Sequence, residues 1–270
     1  NVGHDVRAYT RSDVDLGDTK ALERLLKRDQ SDLILNASGM TGLESCLDNP
    51  EGAQRVNVDA PVKMAKSCAE KKIPFVHFST DYVFGGEEKG YLSEDDEPRP
   101  VNTYGQTKLE GELGVLEVMP AALVCRVSWL FGFGRKSFVD QVVNHAKQGT
   151  RQAYISDKFS VPNVADNLAS MCAQLVEREA RGVVHLCSSG GEVTWFSYAQ
   201  EVISQMLDLG LIDSDEGLIT ESKLEDVTAF RAQRPRYTTM VSMRLFEEYG
   251  VEPTEWRVGL RRFLQQIPKA

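Results

Sequence analysis

Short apolar runs alternate along the chain with longer stretches in which apolar residues recur every three or four positions. The runs predict β-strands and the recurring pattern predicts amphipathic helices. The predicted strands are 5–9, 32–36, 74–79, 122–128 and 182–186. The predicted helices are 19–28, 59–71, 104–116, 137–147, 164–177, 196–207, 243–249 and 256–265. Strand and helix in alternation indicate βαβ units, so we predict an α/β fold with a doubly wound parallel sheet.

Two details refine this fold. The run at 32–36 is continuously apolar, which is typical of a strand buried on both faces. After about residue 188 the pattern becomes irregular, which predicts a smaller C-terminal lobe. Ligands of a doubly wound sheet bind beyond the carboxyl ends of its strands. The residues to examine for function are therefore those at 10–12, 37–39, 80–82 and 129–131.

Composition narrows the classes of protein. The 270 residues are 41% hydrophobic and 26% charged, as in ordinary globular proteins. The net charge of −9 disfavours nucleic acid as a partner, and no apolar run is long enough for a membrane span. Five cysteines without a CxxC pair predict reduced, buried thiols and a cytoplasmic location. Four histidines without ligand spacing predict no metal site.

Tyr104 and Lys108 form a Tyr-x-x-x-Lys pair at the start of a predicted helix, where the spacing places both on one face. A lysine cation near a phenol lowers the pKa of the phenol, which suits a proton donor to a carbonyl that accepts hydride. Thr80 follows a predicted strand, where its hydroxyl can bind a substrate oxygen. A solvated helix face and a polar turn are the ordinary alternatives for these features.

Several segments together carry a family resemblance. They are FSTDYVFGG at 78–86, PVNTYGQTKLEGE at 100–112, CRVSWLFG at 125–132, SDKFSVPN at 156–163 and AQRPRYTTM at 232–240. In this order and spacing they resemble the extended short-chain dehydrogenase/reductase family, and within it the dTDP-4-dehydrorhamnose reductases. The resemblance extends from residue 5 to about 265. It implies a Rossmann-type dinucleotide-binding domain at 1–128 and 161–188, with a substrate-binding lobe at 129–160 and 189–270.

The resemblance also implies catalytic roles. Thr80, Tyr104 and Lys108 fall on the family's catalytic Thr/Ser, Tyr and Lys. Tyr104 is expected to protonate O4 of a 4-keto sugar as hydride arrives from the nicotinamide, with Thr80 bound to the same oxygen. Lys108 is expected to bind the nicotinamide ribose and to keep the phenol acidic.

Substrate contacts are implied for three more residues. Asp81 and Tyr82 fall where the reductases contact the sugar, and Trp129 falls on the aromatic residue that packs against it. A core tryptophan is the alternative for Trp129. Asn57 matches an asparagine that the family keeps near the cofactor, and a helix N-cap is its alternative.

The predicted cofactor is NADP(H), with NAD as the alternative. Arg11 and Ser12 follow the strand that ends at the adenosine ribose in a Rossmann half. An arginine there suits the 2′-phosphate of NADP, whereas an acidic residue suits NAD. A surface arginine is the alternative for Arg11. The resemblance adds further cofactor-binding residues near the adenine and in a turn of small residues: Asp15, Leu16, Ala37, Ser38 and Gly39.

One family feature is missing from the sequence. No Gly-x-x-Gly-x-x-Gly stands ahead of Asp5, although the family uses this motif to hold the pyrophosphate at a helix N-terminus. We therefore expect that a first βα unit of about 25–30 residues precedes this sequence in a longer protein. We also expect the 270 residues alone to bind NADPH weakly.

The predicted function is NADPH-dependent reduction of a 4-keto nucleotide sugar, with a homodimer left open. A nucleotide-sugar epimerase or dehydratase is one alternative, which Asp81 beside Thr80 favours and the following Tyr-Val-Phe disfavours. The other is a non-catalytic NADP-binding regulatory subunit similar to the beta subunit of methionine adenosyltransferase. That subunit shares the Asp-Tyr-Val-Phe and Tyr-Gly-x-Thr-Lys segments, and only Trp129 favours the reductase over it.

Overall fold

The computed structural model describes residues 3–268. Its helices are α1 Thr19–Arg28, α2 Leu43–Asp48, α3 Pro50–Gln54, α4 Ala60–Lys71, α5 Thr103–Val118, α6 Phe138–Lys147, α7 Ala165–Glu177, α8 Trp195–Asp208, α9 Arg244–Glu247 and α10 Trp256–Leu264. Its strands are β1 Ile34–Asn36, β2 Phe75–Thr80, β3 Leu123–Val127, β4 Leu130–Phe131, β5 Gln152–Ile155, β6 Phe159–Ser160, β7 Asn163–Val164, β8 Gly182–His185, β9 Val193–Thr194 and β10 Ile219–Ser222.

Four parallel strands form the central sheet in the order β1-β2-β3-β8. The register pairs Asn36 with His77 and Thr80 with Val127. Because the strands are parallel, the segments that follow β1, β2 and β3 lie at one edge of the sheet. Smaller two-stranded pairings, β5 with β10, β4 with β7 and β6 with β9, lie outside it.

Helices cover both faces of the central sheet. On one face, α1, α4 and α5 pack against Phe75 and Val124, with Leu22 and Val115 fully buried. On the other face, α7 packs against Leu123 and Cys125, joined by Leu245 of α9. Alternating side chains of one strand thus supply two separate cores. The prediction of a doubly wound α/β fold is confirmed.

A third apolar cluster lies away from the sheet. It is formed mainly by α6, α8 and α10, and its centre is aromatic. Tyr198, which is fully buried, packs edge-to-face on Trp256 with ring centroids 5.3 Å apart. Trp129, two residues after β3, packs against this cluster. The cluster therefore adjoins the carboxyl edge of the sheet.

The structure departs from the sequence predictions mainly near the N-terminus. Residues 5–9 do not form the predicted strand: they are exposed, with Val6 75% exposed, and pair with no strand in the described range. Strand β1 is shorter than predicted, and between residues 3 and 268 it pairs with β2 alone; its Leu35 is 46% exposed. The prediction that this run is buried on both faces was wrong. Both faces of a strand are buried only where other elements pack over both of them.

All five cysteines are buried and free. Burial raises the pKa of the Cys46 thiol to about 11 and that of the Cys68 thiol to about 12. Cys68 lies in the cluster under α4, and Cys172 lies in the cluster under α7. Among the residues described, no helix combines the length and the apolar character that a membrane crossing requires.

Candidate active site

Thr80 ends β2, and a 3-10 turn, Asp81–Val83, follows it directly. The Thr80 side chain caps this turn by accepting a hydrogen bond from the backbone N–H of Tyr82 at 3.2 Å. The hydroxyl of Thr80 donates to Asp81 Oδ1 at 3.1 Å. Thr80 therefore has a fixed orientation at the carboxyl edge of the sheet.

Helix α5 brings Tyr104 to the same place. The side chain of Asn102 accepts from the N–H of Gly105 at 2.8 Å and so caps the helix. A Cβ on Gly105 would lie 2.1 Å from the carbonyl oxygen of Tyr82. Glycine at this position is what allows the helix start to touch the 3-10 turn.

The phenol of Tyr104 lies beside Thr80. Its ring packs edge-to-face on that of Tyr82, with centroids 5.8 Å apart. Burial raises the pKa of Tyr104, which a hydrogen bond with Thr80 partly opposes. The sequence-predicted pair Thr80 and Tyr104 is thus brought together, with Tyr104 held as a neutral phenol.

Lys108 is buried one turn further along α5, but it does not act on Tyr104 as expected. Its Nζ donates to the carbonyl oxygen of Phe78 at 2.6 Å and lies 3.2 Å from Nε2 of His77. Burial lowers the pKa of Lys108 to about 8. The expectation that Lys108 lowers the pKa of Tyr104 was wrong for this structure, because the pKa of Tyr104 is raised and Lys108 faces the sheet.

Asp81 is buried at the centre of a hydroxyl network. Its Oδ2 accepts from Thr238 at 2.7 Å and from Ser160 at 3.4 Å, while Oδ1 accepts from Thr80. Burial raises the pKa of Asp81, and the charge of Lys158 and these hydrogen bonds oppose the rise. Both oxygens are therefore engaged inside the protein.

Lys158, which the sequence analysis did not single out, is fully buried beside Asp81. Its Nζ donates to the carbonyl oxygen of Pro235 at 2.7 Å. It also lies 4.9 Å from the ring centroid of Tyr82 and 5.9 Å from that of Trp129. Burial lowers the pKa of Lys158 to about 8. The ammonium thus lies between the two aromatic residues predicted to contact substrate.

Trp129 fits its core interpretation in part, while its contact with substrate stays a prediction. It is half-buried against the aromatic cluster, stacked on Tyr198 with ring planes 13° apart. Its φ of 39° places a non-glycine residue in the left-handed region, which costs free energy and re-aims the chain after β3. A cavity of 120 Å³ lies here, lined by Trp129, Leu130, Phe131, Phe138, Trp195 and Tyr198.

The turn after β1 is fixed by two asparagines. The Asn36 side chain accepts from the N–H of Ser38 at 3.0 Å. Asn57 accepts from the N–H of Met40 at 2.8 Å and donates to Thr107 of α5 at 3.0 Å. Asn57 lies inside a π-helical turn, Arg55–Asp59, so it is not a helix N-cap.

Ala37, Ser38 and Gly39 thereby lie at the same edge as Thr80. A Cβ on Gly39 would approach Asn57 Oδ1 at 3.2 Å, so a small residue fits the clamped turn. This turn can admit a ligand close to its backbone.

The other predicted cofactor residues lie in an exposed segment. Arg11 and Ser12 belong to a turn, and Arg11 pairs with Asp15 at 3.4 Å, with 89% of its side chain exposed. No strand is formed at 13–16. Leu16 packs against the cluster under α1 rather than pointing outward. The structure does not bring these four residues to Tyr104.

Arg234 is a second residue that sequence reasoning missed. It is buried, pairs with Glu44 at 2.9 Å and stacks on Phe230 with 3.4 Å between the guanidinium carbon and the ring centroid. It also lines a cavity of 520 Å³ between Gly85–Gly86 and the segment 224–237. A cation at the wall of a large cavity suits an anionic ligand.

A recognisable signal existed for each missed residue. Lys158 and Arg234 both lie inside segments that carry the family resemblance, and His77 interrupts an otherwise apolar strand. A polar residue inside an apolar strand, as at His77, indicates a buried polar contact. No cluster of three or more metal-ligating side chains is formed between residues 3 and 268.

Known proteins are similar to this chain in sequence and in fold. A family model described as RmlD substrate binding domain matches residues 1–268. The chain is 34% identical over 247 residues to the probable low-salt glycan biosynthesis reductase Agl14 of Haloferax volcanii, covering 89% of this chain and 80% of the relative. It is 28% identical over 262 residues to the dTDP-4-dehydrorhamnose reductase of Escherichia coli K12, covering 94% and 85%.

A solved structure is similar to this chain in fold. The dTDP-4-dehydrorhamnose reductase of Bacillus anthracis, in complex with NADP, matches with a TM-score of 0.89 at 21% identity. The match covers 98% of this chain and 91% of that one. The Rossmann-type, doubly wound architecture is therefore shared.

Proposed function

We propose that this chain, which belongs to the family of the RmlD substrate binding domain, is an NADPH-dependent reductase of a 4-keto nucleotide sugar of the dTDP-4-dehydrorhamnose type. The observation that carries the proposal is the placement of Thr80, at the end of β2, and Tyr104, in the first turn of α5, at the carboxyl edge of the sheet, with the Tyr104 ring 5.8 Å from that of Tyr82. Relatives that are named as reductases support it, and this chain matches them over most of their length.

The residues present fit the nicotinamide half of the cofactor. Lys108 is a buried amine without a carboxylate within 4 Å in the described chain, which suits ribose hydroxyls. The clamped turn at Ala37–Gly39 offers close approach to its backbone. NADPH, when bound, supplies hydride. The exposed Arg11 is a candidate for the 2′-phosphate, and NAD is the alternative cofactor.

The chain's own residues then transfer one proton to the substrate. As C4 of the sugar gains hydride, its C=O bond becomes C–O⁻, and Tyr104 transfers its O–H proton to that oxygen. The single O–H of Thr80, which donates to Asp81 Oδ1 in this structure, turns to the same oxygen and stabilises the developing charge. The Tyr104 phenolate regains a proton from solvent, which balances the reduction.

The substrate contacts follow from the same geometry. Tyr82 and Trp129 provide the aromatic walls, held by Lys158. We assign the cofactor to 1–128 with 161–188, and the sugar nucleotide to the lobe of 129–160 with 189–270. A cytoplasmic location, which suits five reduced thiols, belongs to the proposal.

The hydrogen bonds that Asp81 accepts inside the protein favour a reductase over a dehydratase or epimerase. A dehydratase needs an acid beside the threonine that reaches the substrate. Both carboxylate oxygens of Asp81 accept hydrogen bonds from protein hydroxyls, and the residue is 2% exposed. Asp81 thus has a positioning role on Thr80.

The test is oxidation of NADPH with dTDP-4-dehydrorhamnose, followed at the nicotinamide absorbance band. Replacing Tyr104 with Phe removes the proton donor, and we expect turnover to fall by about 10²–10⁴-fold with NADPH affinity retained. Tyr91→Phe is the matched control, because Tyr91 is an exposed tyrosine. Bound NADPH without any oxidation in the unaltered chain contradicts the proposal and favours the regulatory-subunit alternative.

A further inference from the structure

Two segments that are far apart in the sequence meet at the carboxylate of Asp81. Thr80, which ends β2, donates its hydroxyl to Oδ1 of Asp81 at 3.1 Å. Thr238, which is 157 residues beyond Asp81, donates its hydroxyl to Oδ2 at 2.7 Å. Asp81 is 2% exposed and Thr238 is fully buried, so both hydrogen bonds are shielded from water. The two hydroxyls therefore share one buried acceptor group.

The single hydrogen of the Thr238 hydroxyl goes to Asp81. The carbonyl oxygen of Phe159 lies 3.3 Å from the same Oγ1, which is beyond the usual range of an O–H···O bond. Ser160 lies 3.4 Å from Oδ2, but its hydroxyl is closer to the carbonyl oxygen of Thr238, at 3.2 Å. A short hydrogen bond from a hydroxyl to a carboxylate is among the stronger ones in proteins. Thr238 is therefore the main hydroxyl donor to Oδ2.

The surroundings of Asp81 favour its charged form against the effect of burial. Burial raises the pKa of Asp81, and the charge of the fully buried Lys158 opposes this rise. The hydroxyls of Thr238 and Thr80 act in the same direction as Lys158. A carboxylate shares its charge between both oxygens, so a strong donor at Oδ2 polarises the group and weakens Oδ1 as an acceptor. The bond at Oδ1 is accordingly the longer of the two.

Thr80 has one hydroxyl hydrogen and two uses for it. Its oxygen accepts from the N–H of Tyr82 at 3.2 Å, which fixes the oxygen and leaves the hydrogen free to rotate. In this structure the hydrogen points to Oδ1 of Asp81, and in the proposed reaction it turns to the substrate oxygen. The cost of this turn is set by the strength of the hydrogen bond that is given up. A weaker bond from Thr80 to Asp81 therefore favours the reacting orientation.

We propose that Thr238 is a positioning residue for the reduction: by holding Oδ2 of Asp81, it frees the hydroxyl of Thr80 to turn from Oδ1 to the substrate oxygen. This inference rests on the proposed function. The backbone holds Thr238 in place for this role, because its N–H donates to the carbonyl oxygen of Phe159 at 3.1 Å. The predicted substrate-binding lobe thus supplies a buried residue that acts on Thr80 through Asp81.

Thr238→Val keeps the shape of the side chain and removes its hydroxyl. In NADPH oxidation with dTDP-4-dehydrorhamnose we expect kcat to fall by about 10–100-fold, because Asp81 then holds the Thr80 hydroxyl more firmly. The KM for the sugar nucleotide should change by less than about threefold, since Thr238 is fully buried. Thr238→Ser retains the hydroxyl and should retain most of kcat.

The next residue in the sequence provides the matched control. Thr239 is also fully buried, and its hydroxyl also donates to a carboxylate, that of Glu192, at 2.8 Å. Thr239→Val removes a comparable hydrogen bond without touching Asp81, so its kcat should equal that of the unaltered chain. An equal fall of kcat in Thr238→Val and Thr239→Val overturns the proposal, because the loss of any buried hydroxyl in this segment then lowers the rate.

A double-mutant cycle shows whether Thr238 acts through Thr80. Thr80→Val has no hydroxyl left to be freed, so adding Thr238→Val to it should change kcat by less than about twofold. The same substitution in the unaltered chain should have its full effect. If the two losses in kcat multiply, Thr238 acts by another route and the proposal is overturned.

Urea denaturation of the same four chains tests the link without turnover. Each hydroxyl binds Asp81 more strongly when the other is absent, and the double variant leaves the carboxylate without either donor. We therefore expect its urea midpoint to fall by more than the sum of the two single falls. If the unaltered chain does not oxidise NADPH, the proposed function fails while the urea cycle still decides the link. If turnover is normal and both cycles are additive, only the present inference fails.

Discussion

Two buried cations on adjacent elements are held in different ways. Arg126 on β3 makes a bidentate ion pair with Glu112, with its Nη2 2.8 Å and its Nε 3.1 Å from the carboxylate. Lys108 lies one helical turn before Glu112, yet within the described range no carboxylate lies within 4 Å of it. A buried charge without a partner destabilises the fold, so a structure that keeps such a group points to its use. We infer that the paired cation is structural and that the unpaired one belongs to the proposed site.

The largest effect expected from this comparison concerns the paired cation. Glu112→Gln leaves the charge of Arg126 buried without its partner, which should lower the free energy of unfolding by about 3–5 kcal/mol. Urea denaturation measures the change. Glu110→Gln, on the same helix and bound to Gln106 at 2.8 Å near the surface, is the matched control and should leave the midpoint unchanged. Equal midpoints for both variants contradict a structural role for the pair.

An intermediate effect is expected for the other unpaired lysine, Lys158. Burial lowers its pKa from the ordinary 10.5 to about 8. Between these two pH values the unfolded chain binds more protons than the folded chain, so the free energy of unfolding rises with pH; below about pH 8 both states are protonated and the slope vanishes.

Lys158→Met removes this rise. The difference in unfolding free energy between the unaltered chain and the variant should change by about 3 kcal/mol from pH 8 to 10.5. Using the difference cancels the titration of cysteines and tyrosines common to both chains. Lys223→Met is a control, because Lys223 is exposed. Parallel pH profiles for the unaltered chain and Lys158→Met show that Lys158 is not buried as a cation.

The smallest effect on stability is expected for a cation that is exposed to solvent. Arg11 and Asp15 form an ion pair in solvent, which contributes little to folding. Arg11→Ala should leave the urea midpoint unchanged and lower the preference for NADPH over NADH in the reductase assay. A retained preference excludes Arg11 as the contact of the 2′-phosphate.

Elements with sustained periodicity were predicted to within a residue or two. Helix α1 was predicted with its actual bounds, and α7 to within one residue. The strands β4, β6, β7 and β9 were not predicted, because two residues are too few to show an alternating pattern. Residues 5–9 show the opposite case: the composition favours a strand, but pairing requires a neighbour that composition cannot supply.

The candidate site was predicted where local sequence decides its geometry. Thr80 ends a strand and Tyr104 lies in the first turn of a helix, and both belong to segments that carry the family resemblance. The surroundings of Lys158 could not be predicted, because its acceptor Pro235 is 77 residues away in the sequence. For the same reason the contact of His77 with Asn36 could not be predicted, because it depends on the register between two neighbouring strands.

The buried cysteines give the chain its own reporters of local opening. A thiol reacts as thiolate and only when exposed, so modification of Cys68 measures how often the α4 face of the sheet opens, and modification of Cys172 measures the α7 face. The aromatic cluster of α6, α8 and α10 lies outside the reach of these thiols. Mass spectrometry of alkylated peptides can thus time the opening of the two sheet faces separately, while motion of the aromatic cluster leaves the label pattern unchanged.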